Sequence, residues 1–286
     1  MPGARADILG TAASFAVLGG STVTNTGTTT INGNLGVSPG TAVTGFFAKD
    51  GGPGIVAGSI YTGNNGVAVQ AQKDLTTAYN TLFGMPFDID LTGQDLGGQT
   101  LLPGIYRFDT SAQLTGALTL DAQGSNNALW VFQIGTTLTT ASSSVVQVIN
   151  GGPDDGLFWQ VGSSATLGTS TTFLGNILAS ASITLNTSAI IPCGRALAEN
   201  GAVTLDTNVI STACTATPGW SDSQATELGG PGGNLGTGLS NPANNSAGEY
   251  APSTVPEPSA LLLLATCVAS LAMRKWARSK PQNHGA

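Results

Sequence analysis

Short apolar runs alternate with polar segments through most of the chain, a pattern typical of β-strands joined by turns. Three runs are the clearest: residues 128–134, 157–161 and 173–179. Each run is flanked by Gly, Asn, Ser or Thr, and each has the length of a buried strand. These segments predict the strands of a mainly β domain.

A second motif recurs between these runs and ends in Thr-Leu-x-Thr. Clear copies occupy residues 163–169, 181–187 and 201–207, and looser copies occupy residues 116–121 and 137–140. Self-similarity at roughly 20 residues is typical of a solenoid, in which one unit cannot bury its own apolar face. Such a unit makes one three-sided coil of short strands, with Gly or Asn at the corners. The repeat therefore predicts a parallel β-helix.

Alternation within each copy separates an inward side from an outward side. Ile183 and Leu185 are expected to point inward, and Thr184 between them outward. If the coils are adjacent, one outward threonine from each copy forms a row with a spacing of about 4.8 Å. The predicted row consists of Thr119, Thr139, Thr166, Thr184 and Thr204. The last threonines of the clear copies stand behind it: Thr169, Thr187 and Thr207.

One segment has a helical period instead. Apolar side chains recur at three- and four-residue intervals from Gly66 to Phe83, and Gly84 and Pro86 end the pattern. A single amphipathic helix in a β solenoid is expected to lie along one side and cover an apolar face. We expect that face on the strands that carry Trp130, Phe132, Phe158 and Trp159.

The charge balance excludes several functional classes. The chain has 16 Asp and Glu against 9 Lys and Arg, a formal net charge of −7. An acidic domain lacks the basic surface that nucleic-acid binding requires, so no nucleic-acid partner is expected. The only histidine is His284, and no metal-binding or cofactor-binding motif occurs. We therefore expect neither a metal nor a cofactor.

The acidic residues do not predict an enzyme. Asp88 with Asp90, and Asp154 with Asp155, stand in segments with the composition of turns, where solvated acids are common. No nucleophile elbow or phosphate-binding loop accompanies them. We expect a non-enzymatic protein.

The C-terminal segment has the order of a membrane-targeting signal. Val255, Pro256, Glu257 and Pro258 precede an apolar run at residues 259–273, and Arg274, Lys275, Arg278 and Lys280 follow it. A basic cluster directly after an apolar run marks the cytoplasmic side of a membrane segment. Residues 255–280 resemble the PEP-CTERM sorting signal of Gram-negative bacteria. A linker rich in Gly, Pro, Asn and Ser, residues 215–254, precedes them.

The PEP-CTERM resemblance implies an export route. A short transmembrane helix at residues 259–273 would hold the chain in the inner membrane until an exosortase-type enzyme processes it, leaving the domain at the cell surface or outside the cell. Residues 1–5 show no secretory signal, which we attribute to a misplaced start or a truncated sequence. In an oxidising compartment Cys193 and Cys214 are expected to form a disulfide, and two buried free thiols are the alternative.

Six segments of the body carry a second resemblance: residues 21–27, 31–40, 102–106, 130–135, 158–163 and 201–206. Through them residues 6–214 resemble the microbial ice-binding-protein family. The resemblance implies a discontinuous right-handed β-helix flanked by one long α-helix, in which coils adjacent in sequence need not be adjacent in space. It also implies that a flat face of Thr and Ser adsorbs to ice, with the threonines named above as the contact residues.

A second function fits the same residues. A neutral face of Thr and Ser also suits a cell-surface adhesion module or one that binds extracellular polysaccharide. The neighbours of the threonines are uneven, since Gly168, Asn186 and Asp206 occupy equivalent positions and Asp206 is charged. That alternative is therefore kept.

Overall fold

The computed structural model describes residues 8–152 and 155–214. The predicted linker, residues 215–254, and the predicted sorting signal, residues 255–280, lie outside this range. A 3-10 turn, η1 (Gly10–Ser14), comes first, and the α-helices are α1 (Phe47–Asp50) and α2 (Gly66–Phe83). The strands before α2 are β1 (Phe15–Gly19), β2 (Thr22–Asn25), β3 (Thr30–Asn32), β4 (Asn34–Val37), β5 (Ala42–Thr44), β6 (Ile55–Val56) and β7 (Ile60–Thr62).

The remaining strands follow α2. They are β8 (Ile89–Asp90), β9 (Thr100–Leu101), β10 (Gly104–Phe108), β11 (Ala112–Leu114), β12 (Ala117–Asp121), β13 (Leu129–Ile134), β14 (Leu138–Thr140), β15 (Val145–Ile149), β16 (Gly156–Val161), β17 (Ala165–Leu167), β18 (Thr172–Ala179), β19 (Ile183–Leu185), β20 (Ile190–Ala198), β21 (Val203–Leu205) and β22 (Val209–Ser211). The predicted apolar strands and the predicted helix are thus present.

The strands form a three-sided parallel β-helix. Each pair among the named strands is parallel. The helix-side face runs β8-β10-β13-β16-β18-β20-β1-β4-β7, and the threonine face runs β11-β14-β17-β19-β21-β2-β5. The third face runs β9-β12-β15-β18-β20-β22-β3-β6, because β18 and β20 bend across a corner and serve two faces.

The order of coils in space differs from their order in the sequence. The coil β1–β3 stacks directly on the coil β20–β22, with Val17 opposite Ala196 and Ile31 opposite Ile210. Strands β4 to β7 extend the stack beyond β1–β3. Helix α2 then carries the chain back, over about 27 Å of helix, towards the other end of the stack, where β8 begins the second series. The described fold is therefore a discontinuous β-helix.

Aromatic side chains fill the interior in register. Tyr106, Phe132 and Trp159 lie opposite one another on β10, β13 and β16. Their rings stack with centroid separations of 5.3 Å and 4.0 Å, and the Phe173 ring follows at 4.9 Å from Trp159. A one-residue slip in strand pairing would turn these rings outward, so their burial stabilises the register.

Helix α2 covers the outside of the helix-side face. Its buried residues, including Ala71, Leu75 and Leu82, pack against Phe158 and Leu178. The prediction that the helix covers the strands bearing the four aromatics is confirmed, because Val131 of β13 and Phe158 of β16 pack with it. Trp130, Phe132 and Trp159 lie in the interior core instead, since adjacent residues of a strand point to opposite sides.

Both ends of α2 are hydrogen-bonded. At its N-terminus the Asn65 side chain accepts a bond from the Val67 amide at 3.0 Å. At its C-terminus the Gln133 side-chain amide donates to the carbonyls of Leu82 and Met85 at 2.7 and 2.8 Å. These bonds satisfy backbone groups that a helix leaves unpaired at its ends.

A disulfide closes the described part of the chain. Cys193 on β20 is bonded to Cys214, with a Cα–Cα distance of 4.7 Å. The bond confirms the predicted pairing and ties the last described residue to the stack. Among the described residues no helix is both long enough and apolar enough to cross a membrane.

Candidate functional site: a threonine face

The threonine face consists of seven short strands in parallel register. Five of them, β11, β14, β17, β19 and β21, have three residues in which the first and last are buried and the middle one points outward. No strand of this face carries an acidic or basic residue. The face is therefore built from short strands in a regular pattern, and these strands carry no charged residue.

The outward residues align in one unbroken row. Thr139 pairs with Thr166, Thr166 with Thr184, and Thr184 with Thr204. Thr204 then pairs with Thr24, and Thr24 with Thr44. We call these six residues the threonine row. Gln113 pairs with Thr139 and ends the row on the other side. At a strand spacing of about 4.8 Å the seven positions span about 29 Å.

Four of the five residues predicted for the row lie in it: Thr139, Thr166, Thr184 and Thr204. The prediction is wrong for Thr119. This residue belongs to β12 on the third face, where it pairs with Thr100 and Gln147 and accepts a hydrogen bond from the Gln147 side chain at 2.9 Å. The motif around Thr119 has the same alternation as the others, but the alternation does not specify which side of the coil a strand occupies.

Two members of the row, Thr24 and Thr44, were absent from the sequence prediction. Their strands show the same alternation, since Val23 and Val43 are buried beside them. This alternation was the only local sign that Thr24 and Thr44 point outward. It could not place them in the row, because Thr24 pairs with Thr204 only when the N-terminal coil stacks on the C-terminal coil, and the two residues are 180 positions apart in the chain.

A second row of small side chains runs beside the first. It lies two residues before each member of the threonine row, and its members are Thr137, Ser164, Ser182, Ala202, Thr22 and Ala42. The amides of Ser182 and Ala202 donate to the hydroxyls of Ser164 and Ser182 at 3.3 and 3.2 Å. None of these side chains is larger than threonine, so nothing in this row rises above the threonine row.

The corner between the threonine face and the third face holds the remaining candidates. Ser170, Ser188 and Thr207 each have a positive φ, from 57° to 63°, and occupy equivalent corner positions. In these three coils Ser or Thr takes the corner position where Gly or Asn was predicted, whereas Gly116, between β11 and β12, does have a positive φ of 93°. Thr169 and Thr187 stand one residue before this position.

The corner segment between Leu205 and Val209 is one residue shorter than the equivalent segments after Leu167 and Leu185. Thr207 therefore takes the corner position, and Asp206 takes the position equivalent to Thr169 and Thr187. The backbone confirms the alignment, because the Ser170 amide donates to the Thr187 carbonyl and the Ser188 amide to the Asp206 carbonyl, both at 3.1 Å. The three predicted threonines consequently do not form one row.

Asp206 is bound by its neighbours and is not an isolated charge. The hydroxyls of Thr187 and Thr207 donate to its two carboxylate oxygens. These hydrogen bonds favour the ionised form and hold the pKa of Asp206 below its ordinary value. Gly27 of the next coil lies close to the same carboxylate, where a Cβ would come within 2.6 Å of it. Asp206 thus joins three consecutive coils at the edge of the threonine face.

The acidic residues considered for catalysis that the structure describes accept hydrogen bonds from backbone amides. Asp88 accepts a hydrogen bond from the Ile105 amide, and Asp90 from the Thr92 amide, both at 2.8 Å. Both are exposed, and Asp88 lies at a bend as predicted, whereas Asp90 belongs to strand β8. Asp155 was expected to be solvated, but it is buried and accepts from the amides of Ala128 and Gly152. Asp154 lies outside the described residues. Within the described ranges no three acidic, Cys or His residues are grouped as a metal site would require.

The fold and the face together define a class of protein: a discontinuous β-helix with one long flanking helix and an in-register threonine face whose strands carry no charge. The family model described as ice-binding-like matches residues 17–211, and a second model, the PEP-CTERM protein-sorting motif, matches residues 254–278. The chain belongs to the ice-binding-like family and carries the PEP-CTERM sorting motif.

Similar proteins support this assignment. An ice-binding protein of Nostoc sp. (strain HG1) is 59% identical over 215 residues, which are 75% of this chain and 77% of that protein. An ice-binding protein of Colwellia sp. is 31% identical over 216 residues, 71% of this chain and 82% of that protein. The crystal structure of an ice-binding protein from the Antarctic ascomycete Antarctomyces psychrotrophicus has a TM-score of 0.67 at 40% identity, covering 72% of this chain and 98% of that one.

Proposed function

We propose that this protein binds ice, and that the threonine row is the contact. The observation that carries the proposal is the unbroken register of the row over consecutive strands. A repeat of identical groups at one spacing is useful only to a ligand that itself repeats, and a crystal surface is such a ligand. The relatives named above, which are called ice-binding proteins, support the same function.

The chemistry of threonine suits this contact. Each hydroxyl can join a lattice of hydrogen-bonded water, and each methyl group favours ordered water around it. β-Branching restricts χ1, so little side-chain entropy is lost when the face adsorbs. The strands carry no charge that a neutral crystal would have to accommodate. A polysaccharide is also a repeating ligand, but the similar proteins named above favour ice.

The three threonines predicted to stand behind the row contribute to this proposal in different ways. Thr169 and Thr187 lie at the edge of the face and extend it towards the corner, while Thr207 and Asp206 serve mainly to hold that edge in place. Thr119 faces a different side and is not included. The row gains Thr24 and Thr44 in its place.

The remaining parts of the proposal concern the whole chain. The coil is right-handed, as parallel β crossovers almost always are. Residues 6–214 form the ice-binding domain, residues 215–254 a linker and residues 255–280 the sorting signal, of which residues 259–273 span the inner membrane until an exosortase-type enzyme acts. The sorting motif supports export to the cell surface or the medium. The absence of enzymatic activity stays a prediction.

Thermal hysteresis and inhibition of ice recrystallisation test the function directly. The purified protein at micromolar concentration is expected to leave a gap between melting and freezing temperatures and to keep ice grains small during annealing. Bovine serum albumin at equal mass serves as the inert control. Ordinary growth of single ice crystals at this concentration would reject the proposal, and binding to a glycan array in the same preparation would then favour the polysaccharide module.

A further inference from the structure

The third face carries a second in-register row. Its outward positions pair in sequence from one strand to the next, across the junction between the C-terminal and N-terminal coils. We call this set the third-face row, and its members are Ala117, Val145, Thr172, Ile190, Val209, Thr30 and Ile55. Six of the seven are β-branched, and none is charged.

Packing inside the β-helix does not account for this row. The next residues along β20 and β22, Ile191 and Ile210, are the ones buried in the core. Ile190 and Val209 therefore point away from it, and Val209 is 40% exposed while Ile55 is 59% exposed. Val145, Thr172, Ile190 and Thr30 are half-buried in the same row. The row is therefore an uncharged, solvent-facing strip of β-branched side chains in register with the coils.

The dimensions of the row argue against a protein partner. Seven side chains at a spacing of about 4.8 Å and one side chain wide cover on the order of 150 Å². A stable complex buries about 800 Å² on each partner. A second copy of this chain docked on the row alone would therefore be held too weakly. The row is useful only as an extension of a contact that is made elsewhere.

The neighbouring contact is the threonine face. The two faces share one corner, whose Ser and Thr residues are followed two positions later by the third-face row: Ser170 by Thr172, Ser188 by Ile190, and Thr207 by Val209. Both rows have the same strand spacing because they belong to the same coils. Valine also has nearly the shape of threonine, so it presents the same methyl group to ordered water without the hydroxyl.

We propose that the third-face row is a second ice contact, which engages ice that grows around the corner after the threonine face has adsorbed. The inference rests on the proposed function. In this proposal Val209 and its neighbours contact a second crystal plane beside the one that the threonine face binds. The row does not adsorb by itself, because its area is small and it lacks the hydroxyls of the threonine row.

Val209→Tyr tests the proposal. Val209 lies between Ile190 and Thr30 in the row, and tyrosine is accepted well in a strand but projects beyond its neighbours. Thermal hysteresis is expected to fall about three-fold or more, and a fluorescently labelled sample on a single-crystal ice hemisphere is expected to cover fewer planes than the unaltered protein. Val209→Thr keeps the shape and is expected to retain full activity. Thr77→Tyr on the outer side of α2 is the matched control.

The outcomes separate the inference from the proposed function. If Val209→Tyr retains full hysteresis and the same ice planes while Thr184→Tyr loses activity, the threonine face binds ice and the third-face row does not. If the unaltered protein has no hysteresis, both ideas fail. If the unaltered protein runs as a dimer on gel filtration and Val209→Tyr runs as a monomer, the row binds a second copy. This result would also overturn the inference.

Discussion

Thr184→Tyr is the sharpest test of the threonine face. Thr184 is the fourth of the seven aligned positions, with Thr166 on one side and Thr204 on the other. A tyrosine ring and hydroxyl reach roughly 4 Å further out than a threonine side chain, given bond lengths near 1.5 Å. A water molecule occupies about 2.8 Å between hydrogen-bonded oxygens. The ring would hold a flat crystal more than one water layer away from the centre of the row.

The expected loss follows from the spacing of the row. The neighbours of Thr184 are about 4.8 Å away on each side, and the next pair about 9.6 Å. A projection of roughly 4 Å at the centre cannot be bypassed without tilting the whole face, so most of the contact is lost together. We expect thermal hysteresis to fall at least ten-fold.

Folding should hardly change. The Thr184 side chain points out of a strand whose neighbours Ile183 and Leu185 remain buried, and tyrosine is favoured in strands. Such surface substitutions alter the free energy of unfolding by about 0.5 kcal/mol or less. For a domain of this size that corresponds to a Tm change under about 2 °C.

The assay compares three proteins by nanolitre osmometry and by thermal unfolding. The unaltered protein and Thr77→Tyr are expected to have equal hysteresis, because the Thr77 side chain bonds only the Lys73 carbonyl of its own helix. Full activity in Thr184→Tyr, with a normal Tm, would refute the assignment of the contact to the threonine row. A large drop in Tm would refute the claim that this side chain is free of packing.

Three further predictions follow from the same geometry. Thr24→Tyr, in the N-terminal coil, should reduce hysteresis as severely as Thr184→Tyr, and normal hysteresis would confine the contact to the C-terminal coils. The Cys193–Cys214 disulfide joins residues 21 positions apart, so its reduction should lower the free energy of unfolding by about 3 kcal/mol. This corresponds to a fall in Tm of roughly 6–12 °C. Calorimetry with and without dithiothreitol measures this fall, and an unchanged Tm would contradict the prediction. The lowered pKa of Asp206 means that its hydrogen bonds stabilise the fold above the unfolded pKa of about 3.9 and are lost as pH falls through the lower folded pKa. The Tm difference between the unaltered protein and Asp206→Asn should therefore be constant from about pH 7 to pH 5 and shrink only below about pH 3.9, whereas a change near pH 6 would contradict this.

Much of the fold could be predicted from the local pattern of apolar and polar residues. The alternation around Ile183, Thr184 and Leu185 specified which side chains are buried, because a strand has a strict two-residue period. The helix at Gly66–Phe83 was equally predictable, since its apolar positions follow the helical period and Gly84 ends it. These elements depend on interactions within a few residues.

Assembly of the site depended on longer-range contacts. Thr119 has the same local pattern as Thr184, yet it lies on another face, because the side of a coil is set by how the chain turns its corners. Asp206 looked like a disruptive charge in the sequence. Only the shorter corner segment and the hydroxyls of Thr187 and Thr207 make it a part of the edge.

By itself, the sequence determined that this is an acidic, mainly β solenoid with a sorting signal, because periodicity, charge and motif order are local properties of the chain. The tertiary structure decided that Thr24 and Thr44 complete the row and that a β-branched row lies around the corner. The physical reason is that hydrogen bonds between β21 and β2 join segments that are distant in the chain. Which residues share a face is therefore a property of the stack and not of any one repeat.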